Sequence, residues 1–501
     1  MTLLIRGGRI LAGRPAALTR ADVLIEGDRI AAVGAGLTAP AGATEIDASR
    51  HLVLPGLGNA HTHAASHLSR GRAGNWTLET LLTYAPANYG FRTPEDEYLS
   101  AAIGAIEMLK TGCTSAYDLY MAVPAITDEA FEAVVRAYQD VGLRVVLAPA
   151  VADVVFFQTV PGLLDLLPAD LRRTVEDMQP APTKGLLELT ERAIRRWHGG
   201  ADGRIRVSVA PTIPNQSTDE FLDGCTALAR EYGVGIHTHL AESKVQAVES
   251  QRRWGKSIVA RLADHGVLGP GFVGAHSVWL TDDDVRMLAD AGAAVAHNPG
   301  SNLRLGAGIA PVREMLDRGL AVGLGTDGSV CADNQNLFEA LRIASVISTV
   351  RFPHQTERWL DADTVWGLAT TGTARVLGQA DDLGAIAPRA KADLVLLRAD
   401  SVFLRPLADP VKALVYAETG AAVDTVLVDG RVVVERGRVT TVDEDRIFAR
   451  AQEAADRQRG QSARAWALAE RLAPYVASAC RGAVATPLSI NRFAAAGPSP
   501  A

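Results

Sequence analysis

Two short stretches, "NAHTH" ending in His61 and His63 and "GIHTHLAES" carrying His237 and His239, set histidines two positions apart in a chain with 11 histidines among 501 residues. On extended backbone, side chains two apart project to the same side, so His61 and His63 make a chelating pair. Adding His239 and Asp327 gives three imidazoles and one carboxylate, a donor set that suits Zn2+ first and Fe2+ second. An ion so held lowers the pKa of a bound water to about 7 and gives a nucleophile at neutral pH. Taken singly, each residue has a plainer role. A lone His-x-His is usually incidental, Asp327 in "GTDG" would cap a helix, His276 would be a core histidine, and Glu242 a first-turn helix acid. Their joint position, each at the end of an apolar run, is what points to a site.

Those apolar runs are the elements that must position them. "HLVLPGLGNAHTH", "GCTSAYDLY", "LRVVLAPAV", "IRVSVAPTIP", "VGIHTHLAE", "GFVGAHSVWL", "GAAVAHNPGS" and "LAVGLGTDGS" read as eight strands separated by amphipathic helical segments. Near-continuous apolar strands alternating with helices indicate a parallel sheet covered on its outside. Eight such units predict an α/β fold, a (β/α)8 barrel, in which the C-terminal strand ends share one face. His61, His63, His239, Glu242, His276, His297 and Asp327 would converge there. No strand is followed by a dinucleotide-type GxGxxG.

Hairpin-like strands occur only near the two ends of the chain, in "LLIRGGRILAG" and "ADVLIEGDRIAAVG" and again in "KADLVLLRAD" and "VDTVLVDGRVVVERGRV". The expected organisation is a composite β-sandwich from residues 1–55 and 385–440 and a barrel over 56–384. C-terminal helices and a tail follow over 441–501, with the closing "RFAAAGPSPA" a loose end.

Composition bounds the rest. An apolar fraction of 48% and net charge of −7, with a pI near 5.9, describe an ordinary folded protein and argue against nucleic acid or an anionic membrane as partner. Cys113, Cys225, Cys331 and Cys480 are scattered and suggest neither a disulfide framework nor a CxxC metal site. No signal-peptide core or membrane-length apolar run is present. The reading is cytoplasmic.

With these motifs in view, "PGLGNAHTH", "HTHLAES", "GAHSVWL", "HNPGSNLRLGAGIAP", "GTDGS", "TGTARVLG" and "KADLVLL" resemble the amidohydrolase superfamily, in its mononuclear-metal deaminase and chlorohydrolase branch. The likeness spans about residues 1–440. It implies a β-sandwich wrapped on a (β/α)8 barrel and a divalent ion, zinc or iron. By resemblance, His61, His63, His239 and Asp327 are the metal ligands, and Glu242 protonates the substrate's ring nitrogen. His276, with Asp327, deprotonates the attacking water. The chemistry agrees: attack on an amidine carbon puts charge on the ring nitrogen, so an acid must sit nearby. Strand four, "IRVSVAPTIPNQ", has no lysine to bridge a second metal, which favours one ion.

The resemblance also implies a substrate, an aminated N-heterocycle (triazine, pyrimidine, purine or pterin) that releases ammonia. The alternative on the same site is dechlorination of a triazine-like ring, or cleavage of an amide, urea or carbamate. Thr212 stands where adenosine-type relatives carry a histidine, and "ANYGFRT" shows no acid for a ribose, so an adenine nucleoside is disfavoured. Trp76, Tyr84 and Asn88 on the loop after strand one, Gln216 after strand four, and His297, Asn302 and Arg304 on strand seven and after it are candidate substrate contacts. His67 and His237 are weaker ones. Analogy with the branch adds a homodimer.

Overall fold

The computed structural model describes residues 2–13 and 16–493. Its centre is a ring of parallel strands: β1 (Leu57–Thr62), β2 (Cys113–Tyr120), β3 (Arg144–Val151), β4 in two pieces (Ile205–Val207 and Ala210–Pro211), β5 (Ile236–Leu240), β6 (Phe272–His276), β7 (Ala294–His297) and β8 (Ala321–Leu324). Each neighbouring pair through β4, and each from β5 on, is parallel. A bridge from Val209 to Ile236 joins β4 to β5. The Asp327 N–H donates to the His61 carbonyl at 2.9 Å and closes the seam between β8 and β1. The barrel is the one the alternating pattern predicts. β1 to β7 are buried along almost their whole length, which is why they read as continuous apolar runs.

The helices outside the ring start where the sequence supplies caps. Pro94–Lys110, between β1 and β2, begins with a Thr93–Asp96 capping box and proline in its first turn. Asp219–Tyr232 begins at Thr218 and ends on Gly233 in the left-handed region.

Strands from both ends of the chain form one nine-stranded sheet beside the barrel, where Leu394–Arg398 pairs antiparallel with His51–Pro55. The run "HLVLPGLGNAHTH" is therefore two strands, one per sheet. Gly56 marks the crossing: a Cβ there would meet the Thr114 hydroxyl at 2.1 Å. A buried ion cluster ties the two sheets together. Arg144 on β3 donates to both Asp393 oxygens at 3.1 Å and also to Asp429, with its side chain 2% exposed. Breaking such a pair leaves uncompensated buried charge. Arg144→Met is expected to lower unfolding free energy by about 3–5 kcal/mol, as read from urea denaturation.

The C-terminal helical run divides at Ser462 into Glu444–Gln461 and Ala463–Ala485. Residues 494–501 of the closing stretch lie outside the described residues, but its Arg492 is not loose. It is 4% exposed, its guanidinium donates to the Leu280 carbonyl, and its own carbonyl accepts from Ile309 N at 2.7 Å. No helix among the described residues is long and apolar enough to cross a membrane.

Candidate active site

At the C-terminal mouth of the barrel, His61 and His63 at the end of β1, His239 on β5 and Asp327 just past β8 come together. His63 Nε2 lies 3.2 Å from His239 Nε2 and 3.2 Å from Asp327 Oδ1, and His61 Nε2 lies 3.6 Å from the same oxygen. The donor atoms of His61, His63 and His239 all fall within 4.8 Å of one another, as do those of His61, His276 and Asp327.

The orientation of these rings has a local cause. His63 Nδ1 is 2.7 Å from the Leu119 carbonyl and His239 Nδ1 is 2.6 Å from the Thr212 carbonyl. A carbonyl only accepts, so each Nδ1 carries the proton and each Nε2 lone pair turns to the centre. His61 is fully buried and neither of its ring nitrogens has a hydrogen-bond partner. Buried polar atoms are rarely left so. A cation amid the four donors gives His61 the partner it lacks, and the residues fit a divalent metal ion.

The electrostatics agree for His61 and His239. Burial, and then the neighbouring imidazoles, hold His61 well below the ordinary histidine range and His239 down to about 3. Both rings are neutral and able to ligate at pH 7. Burial works against the Asp327 carboxylate, but the close approach of His63 and then of His276 and His239 keeps it below the usual carboxylate range. The Glu242 carboxyl goes the other way. Burial, and then the charges of Asp327 and Glu79, push it well above the usual range. The two carboxyl groups of one pocket are thus pushed in opposite directions. His276 Nε2 stands between them, 3.7 Å from Glu242 Oε2 and 3.8 Å from Asp327 Oδ2. Ala241, His276, Ser277 and Asp327 all adopt left-handed backbone, a strain of order 1–3 kcal/mol each for non-glycine residues and typical of such sites.

These groups line a small cavity of about 50 Å3, to which His63, His239, Glu242, His276 and Asp327 all contribute. Its opposite wall is aliphatic: Leu78, Leu81 and Leu82 from the short helix Leu78–Thr83, then Ala85, Ile213 and Leu305. Tyr89, Met121, Thr212 and Cys331 complete it. A larger groove of about 1020 Å3 lies between helices Lys244–Trp254 and Ala463–Ala485, but no histidine lines it.

The remaining candidates fall elsewhere. Trp76 and Tyr84 stack on each other, ring centroids 4.4 Å apart, with Trp466 of the C-terminal helix against Tyr84 at 4.8 Å. Neither Trp76 nor Tyr84 lines the cavity. Asn88 is fully buried and off the cavity wall, its side-chain amide without a partner. Gln216 sits on the turn after β4, where its carbonyl accepts from Val154 N at 3.1 Å. Asn302 Oδ1 lies 2.9 Å from His276 Nδ1 and so orients that ring. Arg304 pairs with Asp333 and donates to the carbonyls of Gly74 and Ala73, bracing the rim. The His297 ring lines a separate narrow crevice against Arg313 and Phe352. His237 packs edge-on against Tyr117 at 4.3 Å. His67 is buried against Gly104. Sequence reading missed Glu79, a buried acid that accepts from Ser243 Oγ at 2.5 Å beside Glu242. It sits in an ordinary helical pattern that gives it no signal.

Comparison with known proteins agrees with this geometry. The 5'-deoxyadenosine deaminase of Methanothermobacter thermautotrophicus is 35% identical over 456 residues, 91% of this chain and 98% of that one. The 5-methylthioadenosine/S-adenosylhomocysteine deaminase of Symbiobacterium thermophilum is 36% identical over 463 residues, again 91% and 98%. Both names run against the expectation that an adenine nucleoside is disfavoured. Among solved structures, a zinc complex of atrazine chlorohydrolase from Arthrobacter aurescens superposes with a TM-score of 0.82 at 28% identity, covering 90% of this chain and 100% of that one. An adenosine deaminase from Xanthomonas campestris, 24% identical with a TM-score of 0.78 over 91% of this chain and 98% of that one, shares the fold. The profile of the amidohydrolase family matches residues 52–433, and the chain belongs to that family.

Proposed function

We propose that this protein is a metal-dependent aminohydrolase that deaminates an aminated N-heterocycle with water and releases ammonia. The observation that carries the reading is the convergence of His61, His63, His239 and Asp327 at one mouth of the barrel, with His276 Nε2 3.8 Å from Asp327 and 3.7 Å from the buried Glu242. His61, His63, His239 and Asp327 would hold one divalent ion, with zinc favoured by the zinc-bound neighbour. That ion supplies the positive charge that makes an attacking water acidic near neutral pH.

The chain's own groups do the rest. Asp327 Oδ2 and His276 Nε2, 3.8 Å apart, take the proton from the attacking water. Glu242, protonated in its buried position, donates to the ring nitrogen as negative charge develops there. The proton held by Asp327 and His276 then passes to the exocyclic amine, which leaves as ammonia as the new hydroxyl gives up its proton to form the carbonyl, and that proton restores the acid form of Glu242. Asn302 keeps the His276 ring in line throughout.

The names of the relatives, 5'-deoxyadenosine and 5-methylthioadenosine/S-adenosylhomocysteine deaminases, support an adenine nucleoside as the first substrate to try. A dechlorination reading rests on the chlorohydrolase neighbour, and the released product, chloride or ammonia, separates the two. Metal analysis followed by an ammonia-release screen over aminated purines, pyrimidines, triazines and pterins tests the proposal. Chelation is expected to abolish ammonia release and added Zn2+ to restore it. Full activity in metal-free protein would overturn the reading.

A further inference from the structure

We propose that Trp466 is a specificity-determining residue of this site: with Trp76 and Tyr84 it forms a one-layer aromatic door between an outer groove and the cavity at Glu242. The inference rests on the aminohydrolase reading for its substrate and on the structure alone for its gate.

Three observations place the door. On its outer side, Trp466 lines a groove of about 390 Å3 together with Arg72, Arg459 and Glu470. On its inner side, Tyr84 falls in the chain between Leu82 and Ala85, both on the wall of the cavity. Between them the rings are in contact, Trp76 on Tyr84 at 4.4 Å and Trp466 on Trp76 and Tyr84 at 5.9 and 4.8 Å.

The inner cavity holds about 50 Å3, whereas sites for ring-bearing ligands measure roughly 300–1,000 Å3. A substrate ring therefore reaches Glu242 only if the wall carrying Leu78, Leu81 and Leu82 moves outward. That wall is a six-residue helix, too short to hold its shape without tertiary support. It is held on one side by the bond from Ser243 Oγ to Glu79 at 2.5 Å and on the other by the stack, which Arg72 fastens. The Arg72 guanidinium lies 4.7 Å over the Trp466 ring and donates to the Ala87 carbonyl at 3.0 Å and to Ser462 Oγ at 3.3 Å.

Trp466 itself is fixed. Its indole N–H donates to Glu470 Oε1 at 2.9 Å, and its helix is anchored at the far end, where Lys244 donates to the Val484 carbonyl at 2.6 Å. The moving part is the loop after β1 and the fixed jamb is Trp466. How far the jamb lets the wall retreat sets the largest ring substituent admitted.

The test uses the full-length zinc-loaded protein as wild type, Trp466→Ala, Trp466→Phe and, as a control, Leu472→Ala, which weakens the same helix at a buried position away from the stack. Zinc removal by 1,10-phenanthroline, a flat three-ring chelator, reports opening without any substrate. Trp466→Ala is expected to accelerate removal at least about tenfold, and Trp466→Phe to stay within about twofold of wild type. The ratio of kcat/KM for 5'-deoxyadenosine over adenine should rise at least about fivefold in Trp466→Ala. An unchanged removal rate, an unchanged ratio, or equal acceleration by Leu472→Ala overturns the door. If no ring releases ammonia from wild type, the aminohydrolase reading falls and the removal rates alone decide the gate.

Discussion

Glu242→Gln is expected to keep its full metal content and lose turnover by about 100-fold or more. The substitution preserves the shape of the side chain and a hydrogen-bond donor but removes the transferable proton. Glu242 is 2% exposed and no metal-cluster donor comes from it, so the ion should be retained. The loop that carries it is held independently of the carboxyl group, since Glu242 N donates to Gln246 Oε1 at 2.8 Å and Trp279 N to the Ala241 carbonyl at 2.8 Å. A loss of activity therefore reports the acid and not a collapsed loop. Metal content and steady-state ammonia release, measured on one preparation, check it. Undiminished activity, or metal lost along with activity, would contradict the assigned role.

His61→Ala should lower metal occupancy and activity in step. Because loss of a single supporting contact around a metal typically costs 10–100-fold in affinity, loss of a ligand is expected to weaken retention by at least about 100-fold. The His61 ring makes no hydrogen bond that the change would break, as neither ring nitrogen is hydrogen-bonded. Its backbone carbonyl, which closes the barrel seam to Asp327, is untouched by the change. Circular dichroism of the variant should match wild type while the metal stoichiometry drops. A variant with wild-type stoichiometry would reject His61 as a ligand.

How far the sequence discloses this site follows from what each residue is paired with. His61, His63, His239, His276 and Asp327 stand out because the strands before them are buried on both faces and therefore apolar, so a polar residue at the strand end breaks a visible pattern. The barrel is legible for the same reason. The boundary at Gly56 is not, because two consecutive strands in different sheets share one apolar run, and only the Thr114 contact separates them.

The substrate wall is harder still. Leu78, Leu81 and Leu82 follow ordinary helical spacing, so nothing marks them as lining a cavity. Trp76 and Tyr84 suggest a stacking platform, but their partner is Trp466, nearly 400 residues further on, and no local pattern encodes that meeting. Arg304 and Asn302 were legible as polar loop residues, yet the structure gives one to the rim and the other to His276. The buried Arg492 shows the same limit at the other end of the chain: its anchors, Leu280 and Ile309, belong to barrel loops.

The central claim is that four side chains from β1, β5 and the end of β8 hold one cation. Anomalous diffraction at the zinc edge from crystals of the zinc-loaded protein tests it most directly. The account predicts a single strong peak per chain, within bonding distance of the imidazoles of His61, His63 and His239 and of the Asp327 carboxylate. A peak anywhere else, or no peak among those four, would contradict it.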